Sequence, residues 1–347
     1  MNTRYAGIAW TGSGYRVEVV DDAGRRAAEP SDWHPARVAE LISWLEDLAD
    51  GQSSLSIILD STNGLLDGPM TAAGLDVYRA DPWLLPPRPP WGSVPADRLA
   101  EQGRTAPATL ARITPDRGTL TGREPEYHDY LERSRPIRAA MTQAGRCFEH
   151  GHRETRSVAL TFDDGPDPVF TAQVLDILAR YDARATFFCV GHHVAAMPDL
   201  VRRIAAEGHE LGNHSWSHPF LPDLTRDQLH EQLDRTTEAI TRLTGEPTTR
   251  FRPPYGSLSP EVLASLADHP STLTMWDTDS LDWTRPGPDR ITANVLTTVR
   301  PGSVVLLHEG AGDRTQTVQA LPAIIEGLLT RDLTPVTVSA LPAAPPA

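Results

Sequence analysis

The chain has 347 residues and a net charge of −14, and its 32 basic residues are all arginine. Without lysine, Schiff-base chemistry, a catalytic lysine nucleophile and a phosphate-loop lysine are excluded. An acidic chain without basic runs also argues against nucleic acid or an anionic membrane surface as partner.

The length suits two domains. Only two cysteines occur, Cys147 and Cys189, far apart and in no metal-binding spacing, so they read as free thiols. The first twenty residues lack a charged stretch followed by an apolar one, and no apolar run is long enough to span a bilayer. The expectation is a cytoplasmic protein without a membrane partner.

In chain order, YAGIAW and YRVEVVDD read as strands about the turn TGSG, PARVAELISWLEDLAD as an amphipathic helix, and SLSIILDS as a buried strand. A short helix and the strand LDVYRADP complete a small α/β domain over 1–82. The stretch PWLLPPRPPWGSVP cannot form regular structure, because proline removes a donor and restricts its predecessor. With a polar, mostly helical segment behind it, it reads as a strap and connector over 83–150. From 151 to 341 the strands VALTF, ATFFCV, HELGNHS, TTRFRPPY, TLTMWD, SVVLLHE and TPVTVS alternate with helices, which predicts a parallel sheet closed into a barrel. Residues 342–347 read as a flexible tail.

Ionisable groups gather where those strands end. Asp163 and Asp164 follow the first, and His214 and His218 follow the third. Arg252, Pro253, Pro254 and Tyr255 end the fourth. Asp277, Asp279, Asp282 and Trp283 follow the fifth, and His308 ends the VVLLH strand. Two adjacent aspartates at the end of a buried strand need a positive partner. Two imidazoles and one carboxylate make a three-ligand hydrolytic metal site with open positions, so Asp164, His214 and His218 are the candidate ligands. Asp163 then serves as general base toward the attacking water, held ionised by Arg252, and His308 protonates the leaving amine. Asp279 or Asp282 favours the imidazolium of His308. Iron oxygenases use the same triad, but they need neither the adjacent aspartate nor an opposed His308. His192 and His193 fall outside the pattern and are expected on the surface.

The stretches TFDDGPDP, HSWSHP, RPPYG, DTDSLDW and LLH, in that order, resemble the five motifs of the NodB-homology polysaccharide deacetylases, carbohydrate esterase family 4. The resemblance covers roughly residues 156–339. It implies a distorted (β/α) barrel and a divalent metal, zinc or cobalt, on Asp164, His214 and His218. It also implies Asp163 as base, Arg252 as its orienting group and His308 as acid. The main-chain amide of Tyr255 would help stabilise the oxyanion, Asp279 and Asp282 fall in the fourth motif, and Trp283 would line the groove. Trp283, Tyr255 and Pro254 are the substrate-facing candidates. Many members follow the last histidine with Asp, where this chain has Glu309. The N-terminal part faintly resembles the RNase H-like domain of certain transposases, but its first strand carries no acid where such a nuclease needs one. Packing, covering substrate or forming a homo-oligomer is the expected role of that domain. The implied reaction is removal of acetyl from an acetamido sugar in a small or oligomeric soluble substrate; the alternative is an amide or imide of a non-sugar N-acyl compound.

Overall fold

The computed structural model describes residues 2–49, 53–115 and 117–342. The tail expected over 342–347 lies, from residue 343 on, outside the described residues. The chain divides into two compact units, Met1–Tyr130 with Ser217–Glu231, and Leu131–Trp216 with Gln232–Ala347. The division falls well after residue 82 because the chain between 83 and 130 completes the first unit rather than leaving it.

The first unit is built on a six-stranded sheet. Strands β1 (Asn2–Trp10), β2 (Tyr15–Asp21) and β3 (Arg26–Trp33) form an antiparallel meander. Its second turn is fixed by Asp21, whose carboxylate accepts from the amides of Ala23 and Arg25 at 2.9 Å each. β4 (Ser53–Asp60) then runs parallel to β1, β5 (Asp76–Ala80) parallel to β4, and β6 (Ala111–Arg112) antiparallel to β5, giving the order β3-β2-β1-β4-β5-β6. Asp60, at the end of β4, is a tie point. It accepts from the Thr62 amide and hydroxyl at 3.0 and 2.6 Å, and from Ser93 Oγ and the Val94 amide at 2.8 and 3.0 Å. The proline-rich stretch is thereby fastened to the sheet, with Trp91 set edge-on to Trp10 at 4.9 Å between ring centroids.

The helix Ala96–Thr105 buries Ala96, Leu99 and Ala100, the first two in a cluster with Ala9, Ile58 and Val94. It approaches so closely that a Cβ on Gly7 would lie 1.9 Å from the Ala96 carbonyl oxygen and 2.5 Å from the Ala100 nitrogen. Both are backbone atoms, so the helix itself must move to admit a methyl group. Gly7→Ala is therefore expected to destabilise the protein by about 1–3 kcal/mol in equilibrium urea unfolding, the usual cost of overpacking. An unchanged midpoint would show that the helix shifts freely.

The second unit is a parallel sheet of nine strands. They are β7 (Cys147–Phe148), β8 (Ser157–Asp163), β9 (Thr186–Cys189), β10 (Glu210–Asn213), β11 (Arg250–Phe251), β12 (Thr272–Thr274), β13 (Thr278–Asp279), β14 (Val304–His308) and β15 (Thr334–Val336). The order is β13-β14-β8-β9-β10-β11-β12-β7, with β15 on β8. Of the stretch read as one strand, TLTMWD, only Thr272–Thr274 is strand, and a separate strand, β13, begins just beyond it at Thr278. β12 pairs with β11 near one end of that order, whereas β13 pairs with β14 at the other. Thr274 and Thr278 are four residues apart, a reach of at most about 14 Å, so the sheet must curl until its ends nearly meet. This is the distorted (β/α) barrel. The expected connector contributes to it too, because Cys147 and Phe148 pair with Leu273 and Thr274. Cys147 and Cys189 are both buried and free. Among the described residues no helix is long and apolar enough to cross a membrane.

Candidate active site

Parallel strands deliver their C-terminal ends to one rim, and the loops leaving that rim carry the motifs. Their backbone is strained. Of nine non-glycine residues with positive φ among the described residues, five are Asp164, Ser215, His218, Tyr255 and Leu281, all in or beside these motifs. Such conformations persist only where the surroundings over-determine them.

Asp163, the last residue of β8, is buried, and its Oδ1 accepts from Arg252 Nη1 at 2.8 Å. Arg252 is fully buried. Its Nη1 also donates to Thr161 Oγ1 at 2.7 Å, while Nε and Nη2 donate to the carbonyls of Thr274 and Met275 at 3.3 and 3.1 Å. Those carbonyls lie where the strand breaks between β12 and β13, so one guanidinium fills the gap in the barrel wall and holds Asp163. The Phe188 ring covers it, 4.1 Å from the guanidinium carbon.

Asp164, also buried, turns the other way, with φ of +77°. The Nε2 of His214 lies 3.3 Å from Asp164 Oδ1 and 3.8 Å from Asp163 Oδ2. The other ring nitrogen of His214, Nδ1, is 2.7 Å from the Arg252 carbonyl oxygen and must donate to it. That fixes the tautomer and leaves the Nε2 lone pair facing the carboxylates, as a metal ligand requires. Asp164, His214 and His218 each offer a ligand atom, and these atoms all lie within 4.8 Å of one another. A buried carboxylate and two imidazoles so converged suit a divalent cation.

His308, at the end of β14, is in register with Asp163 on the adjacent strand. Its Nδ1 donates to Asp282 Oδ1 at 2.7 Å, and Asp282 also accepts from the His308 amide and from Thr317 Oγ1 at 2.8 Å each. Burial alone would lower the imidazole's pKa. The charge and hydrogen bond of Asp282, with the charge of Asp164, outweigh burial and push it up to about 9. Burial likewise opposes ionisation of Asp282, but His308 prevails and holds its carboxyl below the usual range. Asp279 caps the Leu281 amide at 2.8 Å, and burial raises its carboxyl. Asp277 stands apart, paired with Arg153 at 2.7 Å. Of the three aspartates, Asp282 is the one bonded to the His308 ring.

Pro254 and Tyr255 form a one-turn 3₁₀ helix in which Tyr255 has φ of +58°. Trp283 is 46% exposed and Leu281 40%, large apolar side chains left open to solvent beside Asp282. His192 and His193, expected on the surface, are buried. His193 Nδ1 donates to the Asp164 main-chain oxygen at 2.8 Å, so it buttresses the strained turn. Its placement directly after the β9 strand end was the available signal. Arg314 gave none: it is a buried second guanidinium, with Nη2 3.8 Å from Asp164 Oδ2. Glu309 is fully buried, and burial, with the nearby aspartates, raises its carboxyl well above the usual range. A Cβ on Gly165 would collide with that carboxyl group, so the turn after Asp164 requires glycine.

The rim of the curled parallel barrel thus sets an Asp–His–His cluster beside an Arg-held aspartate and an Asp-held histidine. The profile for polysaccharide deacetylase matches residues 150–273. A chitooligosaccharide deacetylase of Bradyrhizobium sp. (strain ANU 289) is 42% identical over 189 residues, 51% of this chain and 86% of the relative. A peptidoglycan-N-acetylglucosamine deacetylase of Bacillus cereus is 42% identical over 175 residues, 50% of this chain and 64% of the relative. The crystal structure of the Bc1960 peptidoglycan N-acetylglucosamine deacetylase superposes with a TM-score of 0.55 at 38% identity, covering 57% of this chain and 92% of that one. The chain belongs to the polysaccharide deacetylase family, and is a hydrolase acting on carbon–nitrogen bonds other than peptide bonds.

Proposed function

We propose that this enzyme removes the acetyl group from an acetamido sugar within an N-acetylated oligosaccharide, using a divalent metal, zinc or cobalt, held by Asp164, His214 and His218. The observation that carries the reading is the pairing across β8 and β14. It sets an aspartate held by arginine and a histidine held by aspartate at the same level of the barrel rim. When bound, the cation supplies Lewis acidity toward the acyl oxygen and the attacking water. Asp163, oriented by Arg252, takes the proton of that water. His308, kept protonated by Asp282, gives a proton to the leaving amine nitrogen, so each partner is biased toward its task before substrate arrives. The amide of Tyr255, in its left-handed turn, donates to the developing oxyanion. Trp283 offers an open ring face of the kind that stacks on a sugar, and Pro254 shapes the groove beside it. The deacetylase relatives support the sugar as substrate.

The test is acetate release by zinc- or cobalt-loaded protein, with chelator-treated protein as control. The panel is N-acetylglucosamine oligomers, insoluble chitin, peptidoglycan, nucleotide-linked N-acetyl sugars and non-sugar acetamides. Release from acetamido sugars that stops on chelation is expected. Release from non-sugar acetamides alone would overturn the sugar assignment while leaving the chemistry.

A further inference from the structure

His218 stands in a segment, Ser217–Glu231, that folds with the first unit. Two main-chain carbonyls in the loop after β4 receive it. Ser217 Oγ donates to the Thr62 oxygen at 2.7 Å, and the Phe220 amide donates to the Ser61 oxygen at 3.0 Å. A few residues on, Arg123 grips the segment twice. Its Nη1 donates to Asp223 Oδ2 at 2.7 Å, and its guanidinium carbon stands 4.9 Å from the centre of the Phe220 ring. Arg123 is 3% exposed, and its remaining charge is met by Asp81, which in turn pairs with Arg79 at 2.7 Å. A buried ion network of this kind is weak as a source of net stability, since desolvation offsets most of its attraction; where it persists, fixing a geometry is a better-attested use. What it fixes here is the chain immediately after His218, whose own backbone is strained at φ of +57°. Arg123, Ser61 and Thr62 all precede the stretch matched by the family profile.

We propose that Arg123 and Ser217 are positioning residues for His218: by seating the segment on the loop after β4, they set where its imidazole is presented to the metal. The inference rests on the reading of Asp164, His214 and His218 as metal ligands.

The experiment is Co²⁺ titration of the full-length protein against a competing chelator, followed by the visible cobalt spectrum. Arg123→Gln is expected to weaken Co²⁺ binding by about 10–100-fold, the range typical of residues that orient metal ligands. It should also change the cobalt absorption bands, with Arg123→Lys restoring part of both. In a His218→Ala background, Arg123→Gln should add little further loss, because a residue acting through His218 has nothing left to position. A folded Arg123→Gln protein with wild-type affinity and spectrum overturns the proposal, as does an undiminished loss in the His218→Ala background. If Arg123→Gln does not fold, Ser217→Ala carries the test: a weaker, altered cobalt site supports the proposal and an unchanged one overturns it. Wild-type protein that takes up no Co²⁺ overturns instead the metal reading on which this rests.

Discussion

Asp163→Asn is expected to abolish turnover while the protein keeps its metal, and His214→Ala to lose metal and turnover together. The two residues are near neighbours, with 3.8 Å between Asp163 Oδ2 and His214 Nε2, so the contrast rests on what each side chain faces. Asp163 faces Arg252. Asparagine keeps an oxygen for that guanidinium but cannot take a proton, and the loss of a general base lowers rate by about 10²–10⁴-fold. His214 has its Nδ1 committed to the Arg252 carbonyl, and its Nε2 is aimed at Asp164. Removing it should cost more than the roughly 10–100-fold in affinity lost when an outer-shell partner is removed. Metal content after dialysis, read beside acetate release, separates the variants. Equal metal loss in both would mean that the paired aspartates share one role. Asp163→Asn also leaves a buried arginine without its counter-charge, a change that costs up to about 3–5 kcal/mol when a buried pair is broken. Relief of the repulsion between Asp163 and Asp164 offsets part of this, so a lowered melting temperature with metal retained is the expected pairing.

The site was legible in the sequence to the extent that it is local. Asp163 with Asp164, His214 with His218, and Arg252 through Tyr255 each lie within a few residues of a strand end, and strand ends show as a change from apolar to polar periodicity. The partners that hold them come from elsewhere in the chain. Thr161 and the carbonyls of Thr274 and Met275 complete Arg252, His193 supports Asp164, and Thr317 caps Asp282. None of these has a spacing that announces it. The same distinction explains the fold. Longer, continuously buried strands such as β8 were readable, whereas β7, β11 and β13 are two residues each and exist only because a neighbour pairs with them. The placing of β12 and β13, separated by three residues in the chain, near opposite ends of the sheet order follows from barrel closure, which no local pattern records. The division between the units was hidden for a related reason: Ser217–Glu231 joins the first unit across the intervening stretch Leu131–Trp216.

Asp282→Asn should move the alkaline limb of the activity profile to lower pH. The buried imidazole of His308 stands at about 9 because Asp282 both bonds it and charges its surroundings. With asparagine there, burial is left to pull the value toward or below the ordinary histidine pKa of about 6.5. In metal-free protein at pH 8 the protonated imidazole would then fall from about nine-tenths to a few hundredths, and kcat of the loaded enzyme should fall in the same direction, by a factor that shrinks as the pH is lowered. Metal affinity should change little, since Asp282 faces His308 and Thr317 rather than the ligand cluster. Stability follows the same sign. A group whose pKa is raised on folding contributes in full below its unfolded value and loses that contribution as pH rises through its folded value. The wild-type advantage over Asp282→Asn should therefore be greatest below about pH 6.5 and diminish toward pH 9. Asp164 supplies part of the charge that holds His308 up, so a cation bound there opposes the shift. NMR titration of the His308 ring should give a value near 9 in metal-free protein and a lower one in metal-loaded protein. An alkaline limb that does not move in Asp282→Asn would show that His308 is not the acid.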